Sequence, residues 1–137
     1  MFGILLLSHG DLAEAMLSTA KMIYRAADEG VATIGLRQDE KAEDFDQRLK
    51  RAIESVDQGE GVVVLADLLG GTPSNRLAAI ANDDIKIITG MNLGMVLELV
   101  FSRKADNLDI NNLIDTSKKS IVYYNAHLDN IELNEIL

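Results

Sequence analysis

The chain has 137 residues, 47% of them hydrophobic, which suits one domain around one core. A net charge of −9 leaves no basic stripe for nucleic acid or an anionic membrane, and the absence of cysteine removes disulfides, thiol catalysis and cysteine-ligated metal. No apolar stretch approaches the roughly 20 residues that span a bilayer and no basic signal region opens the chain, so a soluble, cytoplasmic protein is expected.

Aliphatic runs and amphipathic segments alternate from the start. Residues 4–8 are an apolar run that reads as a buried first strand, ending at His9. Residues 12–27 carry Leu12, Ala15, Met16, Ala20, Met22 and Ile23 at helical spacing, and Gly30 follows as a helix stop. Residues 31–36 form a second strand. Residues 41–56 form a charged helix with Phe45, Leu49, Ile53 and Val56 on one side. Its acidic residues Asp39, Glu40, Glu43, Asp44 and Asp46 read as a helix N-terminus and solvated face.

Residues 62–66, Val-Val-Val-Leu-Ala, are the strongest strand signal and predict a central strand buried on both faces, closed by Asp67. Residues 68–71 form a loop, and Thr72-Pro73 opens a helix to about residue 81, with Thr72 as N-cap and Pro73 at the first helical position. Residues 84–89 form a fourth strand, Gly90-Met91-Asn92 a turn, and residues 93–103 a helix. Met91 and Met95 read as core or partner-facing filler. Residues 107–115 suggest a short helix and residues 120–124 a late strand or extended arm. From Ala126 onward the pattern specifies little, and His127 reads as a surface residue. Strand-helix alternation with few aromatics implies a three-layer α/β/α fold on a mainly parallel sheet, with right-handed crossovers.

Histidine occurs twice, and His9 stands where the first strand gives way to a helix, on the edge where open α/β sheets place their ligands. Asp67 ends the third strand in the same way. If these strands are neighbours, the carboxylate meets the imidazole across the switch point, fixes its tautomer and leaves the other nitrogen free to react. The segment Gly70-Gly71-Thr72-Pro73-Ser74-Asn75 adds an anion site, with Gly71, Thr72, Ser74 and Asn75 as phosphate-binding candidates through helix amides and the Thr72 hydroxyl. Taken singly, each feature has a plain structural reading: a satisfied polar residue, a loop cap, a loop-to-helix junction. Their coincidence on one sheet edge is what points to chemistry. The glycine loop lacks the lysine of a Walker A motif and fails the dinucleotide pattern. Asp83 and Asp84 have no ligand cluster around them, so no metal and no cofactor are expected.

Ser8-His9-Gly10 after a strand, Asp67, Gly70 to Asn75 and the turn Thr89-Gly90-Met91-Asn92 together resemble the IIA domain of the mannose family of the bacterial sugar phosphotransferase system, over residues 1 to about 103. The resemblance implies a homodimeric phosphoryl carrier that is one IIA domain over residues 1–137. The histidine at the His9 position would accept a phosphoryl group from the carrier protein HPr, with Asp67 in support. It would pass the group to a IIB component, which serves the IIC and IID membrane permease. It also implies a final antiparallel edge strand, often exchanged in the dimer, for which residues 120–124 are the candidate. The aliphatic Leu68-Leu69 replaces an aromatic found in some relatives. A phosphotransferase subunit of a dihydroxyacetone kinase system resembles the same fold and also uses an N-terminal histidine. A non-enzymatic ligand-sensing domain is the reading from another class.

Overall fold

Strand β1, Gly3–His9, is buried over its first six residues. A strand sends successive side chains to opposite faces, so this aliphatic run feeds two cores. Ile4 and Leu6 pack on one face, and Leu5 and Leu7 on the other. The structure, a computed structural model, describes residues 1–68, 70–105 and 107–129, apart from the side chains of Ser74 and Asp129. Leu69, Asp106 and the tail from residue 130 lie outside the described residues.

Three further strands, β2 (Val31–Leu36), β3 (Val62–Ala66) and β4 (Ile85–Thr89), join β1 in the order β2-β1-β3-β4. All three pairings are parallel. The chain therefore moves outward from β1 to β2 and returns to the other side for β3, which creates the switch point between β1 and β3. β3 is buried along its whole length, as its unbroken β-branched run predicts.

Helices cover both faces. On one lie α1 (Leu12–Ile23), α4 (Leu93–Lys104) and α5 (Ile110–Lys119), contributing Ala13, Ala20, Val96, Leu99 and Leu113. On the other lie α2 (Ala42–Val56) and α3 (Gly71–Leu77), contributing Phe45, Leu49, Ile53 and Leu77. The three-layer α/β/α architecture is as expected. Each fully buried Leu, Val or Phe side chain stabilises it by about 1.5–3 kcal/mol. Met91 and Met95 are core residues, and His127 is exposed.

The first helix is shorter than its periodicity suggests. α1 stops at Ile23; Tyr24 is extended (φ −135°, ψ 105°), and residues 25–28 form a 3-10 turn. The Tyr24 ring packs on Phe101 of α4 at 5.0 Å, a contact 77 positions away that local spacing does not reveal. The last helix on this face lies further along the chain than residues 107–115. Asp109 caps it by accepting from the Asn112 amide, and Leu113 anchors it. Glu40 is no solvated acid: its carboxylate holds Arg48, whose guanidinium also donates to Gly35 O.

Residues 120–124 form no strand, so the described sheet is wholly parallel and lacks the expected antiparallel edge. The Ser120 and Ile121 amides bond back to Ser117 O and Lys118 O, closing α5 with the N–H groups a ladder would need. A short helix, α6 (Tyr124–Asp129), then begins.

Gly35 is fixed by space. A Cβ there would lie 1.8 Å from the carbonyl oxygen of Gly10, in the β1–α1 turn. That turn is itself tied to β2 by the bond from Gly10 N–H to Leu36 O, at 2.9 Å. Gly35→Ala is expected to lower stability by roughly 2–3 kcal/mol in urea unfolding; a loss under about 0.5 kcal/mol would mean that the turn gives way freely.

Candidate active site

β1 and β3 are neighbours, and their carboxyl ends bring His9 and Asp67 together. His9 is the last residue of β1, and Asp67 follows β3 with its amide bonded to Leu7 O at 3.1 Å. Asp67 Oδ2 accepts the His9 backbone N–H at 2.9 Å and also lies 2.9 Å from His9 Nδ1. Asp67 Oδ1 accepts the Leu68 N–H, also at 2.9 Å. A carboxylate only accepts, so Nδ1 carries the proton in this pair, and in the neutral ring Nε2 keeps its lone pair.

The exposures give the pair a direction. The Asp67 side chain is 10% exposed and the His9 side chain 46%. The acid sits at the inner end, and the ring presents its far edge outward. There it meets Gly71: a Cβ on Gly71 would lie 3.3 Å from His9 Cε1 and 3.4 Å from Nε2. The Gly71 backbone thus passes close to the outer edge of the ring, where an added side chain would make a tight contact.

Gly70 (φ 79°) and Gly71 (φ 78°) both adopt a left-handed conformation, and they start α3 earlier than the sequence suggests. Gly70 is the N-cap, so Thr72 and Pro73 are the second and third helical residues and no side chain caps the helix. Pro73 still falls in the first turn, where its missing N–H has no helical acceptor. It is buried with Leu77, and Thr72 and Asn75 face solvent. Arg76 of α3 donates to Asp46 of α2 at 2.8 Å, joining the helices below the site. His9, Asp67 and Gly71 are therefore in one cluster, and Thr72, Ser74 and Asn75 follow Gly71 along α3. On the other flank the Met91 amide bonds Ala66 O at 2.9 Å and ties the β4–α4 turn beside Asp67.

Ser8 carries no role in the sequence reading, yet it is fully buried immediately before His9. Its Oγ accepts the Ala13 N–H at 2.8 Å, while the nominal N-cap of α1, Asp11, makes no side-chain cap. The signal available in the sequence was a hydroxyl closing an otherwise aliphatic run.

Burial pushes the Asp67 carboxyl up, but the His9 amide, the His9 ring and the Leu68 amide outweigh it and hold its pKa below the ordinary carboxylate value. A depressed folded-state pKa contributes stability that is present above the unfolded pKa of about 3.9 and lost as pH falls through the folded value. Between about pH 5 and 2, the native chain should therefore lose more stability than Asp67→Asn does. Urea unfolding at stepped pH checks this, and parallel curves for the two chains would contradict it.

A model of the family described as "PTS system fructose IIA component" matches residues 3–118. The fructose-specific EIIA component of Bacillus subtilis is 24% identical over 136 residues, 96% of this chain and 92% of that protein. The mannose-specific EIIAB component of Escherichia coli K12 is 32% identical over 101 residues; the match takes in 72% of this chain and 31% of that longer protein. Among solved structures, the PTS IIA protein associated with the fucose utilization operon of Streptococcus pneumoniae superposes with a TM-score of 0.82 at 30% identity, covering 92% of this chain and 95% of that one. Sequence, fold and the histidine–aspartate edge converge: the chain belongs to the mannose-type IIA family of the sugar phosphotransferase system, whose members are phosphoryl carriers.

Proposed function

We propose that His9 Nε2 is the phosphoryl acceptor, charged by phospho-HPr and discharged to a IIB component that serves a IIC/IID permease. The observation that carries this reading is the bond from His9 Nδ1 to Asp67, which leaves Nε2 unprotonated and facing Gly71. The Nε2 lone pair attacks the phosphorus of the donor's phosphohistidine in line. The donor's P–N bond breaks, and its electron pair returns to the donor imidazole. His9 becomes a phosphorylated imidazolium whose Nδ1–H stays on the Asp67 carboxylate. The same steps in reverse order of partners pass the group to IIB.

Gly71, Thr72, Ser74 and Asn75 receive the phosphoryl oxygens, through backbone N–H groups of the early α3 turns and the Thr72 hydroxyl. The mechanism uses these side chains and amides and calls on no cofactor or metal. The IIA domain works in the cytoplasm, where its phosphodonor is found. No helix among the described residues is long and apolar enough to cross a membrane.

Incubation with phosphoenolpyruvate, enzyme I and HPr should place acid-labile phosphate on His9. His9→Gln should abolish it, and Asp67→Asn should slow it by on the order of 10²–10⁴-fold, because the ring loses its preferred tautomer. Full labelling of His9→Gln would sink the assignment.

The working unit is a homodimer. Ile121 and Tyr123 are 80% and 74% exposed within an apolar run, Ile121-Val122-Tyr123-Tyr124, and β4 is an edge strand of the described sheet. Sedimentation equilibrium should give twice the chain mass, and Val122→Asp should shift it toward monomer. A native chain that sediments as a monomer at micromolar concentration would refute the dimer.

A further inference from the structure

The Asp67 bonds fix His9 against β3, but they do not fix the turn that follows it. Gly10 breaks away from β1 at once (φ 54°), and α1 begins two residues later. Motion of this turn would swing the half-exposed ring across the face of Gly71. Ser8 closes the turn from inside. Its hydroxyl accepts the Ala13 N–H at 2.8 Å and donates toward Gly10 O at 3.4 Å. One oxygen thus joins the last buried residue of the strand, the residue after His9 and the first turn of the helix. The same Gly10 is held from the other side by Leu36 O, and Gly35 leaves just enough room for its carbonyl.

The burial of Ser8 gives the contact its significance. It is fully buried at the end of an aliphatic strand, where a hydroxyl without partners would be destabilising. An N-cap at Asp11, out in solvent, would have satisfied the helix as well. Capping from Ser8 instead makes the start of α1 and the His9 backbone move as one body.

We propose that Ser8 is a positioning residue for phosphoryl transfer: its hydroxyl locks the β1–α1 turn so that His9 Nε2 stays aimed at the phosphoryl site beside Gly71. This rests on His9 being the phosphoryl acceptor. Misplacing a reacting group by about 1 Å can slow a reaction on the order of 10²-fold, and the lock acts on the residue next to the nucleophile.

Ser8→Ala tests it, with Ser8→Cys as a near-isosteric second variant whose thiol is a weak hydrogen-bond partner. Transfer to each chain is measured from phospho-HPr, with kcat and KM separated, and from phosphoramidate, a small donor that needs no docking. The expected result is a kcat at least about 10-fold lower in both variants, KM for phospho-HPr within about two-fold, and an equal fall with phosphoramidate. Nitrogen-15 spectra of the His9 ring should show loss of the pure Nδ1–H tautomer. An unchanged rate with only a lower melting temperature would make Ser8 a helix cap and overturn the proposal. A fall confined to phospho-HPr would overturn it too, since the effect would then lie in docking. If neither variant folds, Ser8 serves the fold of the β1–α1 turn and the proposal is overturned. A native chain that neither donor labels would instead refute the assignment of His9, and this inference with it.

Discussion

Both N–H groups of His9, main chain and ring, converge on one oxygen of Asp67. Everything else at the sheet edge depends on this. A single bond to the ring would leave the backbone free to pivot, and a single bond to the backbone would leave the ring free to turn. The double acceptance restrains the imidazole from the strand side, while the turn that follows His9 is held by its own bonds. The double acceptance requires β1 and β3 to be adjacent, parallel and in the register that puts Leu7 opposite Ala66, two residues before His9 and one before Asp67. The two most buried strands of the molecule therefore define the position of a half-exposed side chain.

Close packing around that pair comes from glycines contributed by separate segments. Gly35 of β2 admits the carbonyl of the β1–α1 turn, and Gly71 of α3 admits the edge of the ring. Neither glycine neighbours His9 in sequence; a side chain at Gly35 would collide with the Gly10 carbonyl, and one at Gly71 would press on the His9 ring. The edge is a three-sided mould. Asp67 holds the inner nitrogen, the β2 side confines the turn, and α3 lays backbone against the outer nitrogen. Preorganisation of this kind removes motion before the reaction rather than during it.

Where the sequence was legible, short-range chemistry decided the outcome. The run Val62–Ala66 has no polar interruption and became the buried central strand. His9 and Asp67 each end an aliphatic run, so their place on the carboxyl edge followed from strand polarity, and their meeting followed from topology. Where it was not legible, distant residues or backbone conformation decided. The end of α1 is set by Tyr24 meeting Phe101. The start of α3 is set by two left-handed glycines, which the good capping chemistry of Thr72 conceals. Ser8 looked like the last residue of a strand because its role lies in a hydroxyl turned toward a helix not yet formed. Residues 120–124 have strand composition, but composition does not supply a partner, and the bonds closing α5 took the amides instead.

On the proposed reading, His9 must be a good phosphoryl acceptor and then a good phosphoryl donor. These demands conflict if a site grips the phosphoryl group too well. The arrangement here divides the work. The depressed pKa of Asp67 keeps a carboxylate at Nδ1 throughout the neutral range, and on the proposed reading this would stabilise the cationic ring of a phosphorylated His9 with either partner. That stabilisation acts from the buried side and remains constant. The outer side is open, with the ring almost half exposed, which on the proposed reading lets either partner reach Nε2. A deep pocket would bind phosphate more tightly and release it more slowly. A shallow edge with a fixed anion behind it favours passage over retention, and the sheet's carboxyl edge provides that geometry without further machinery.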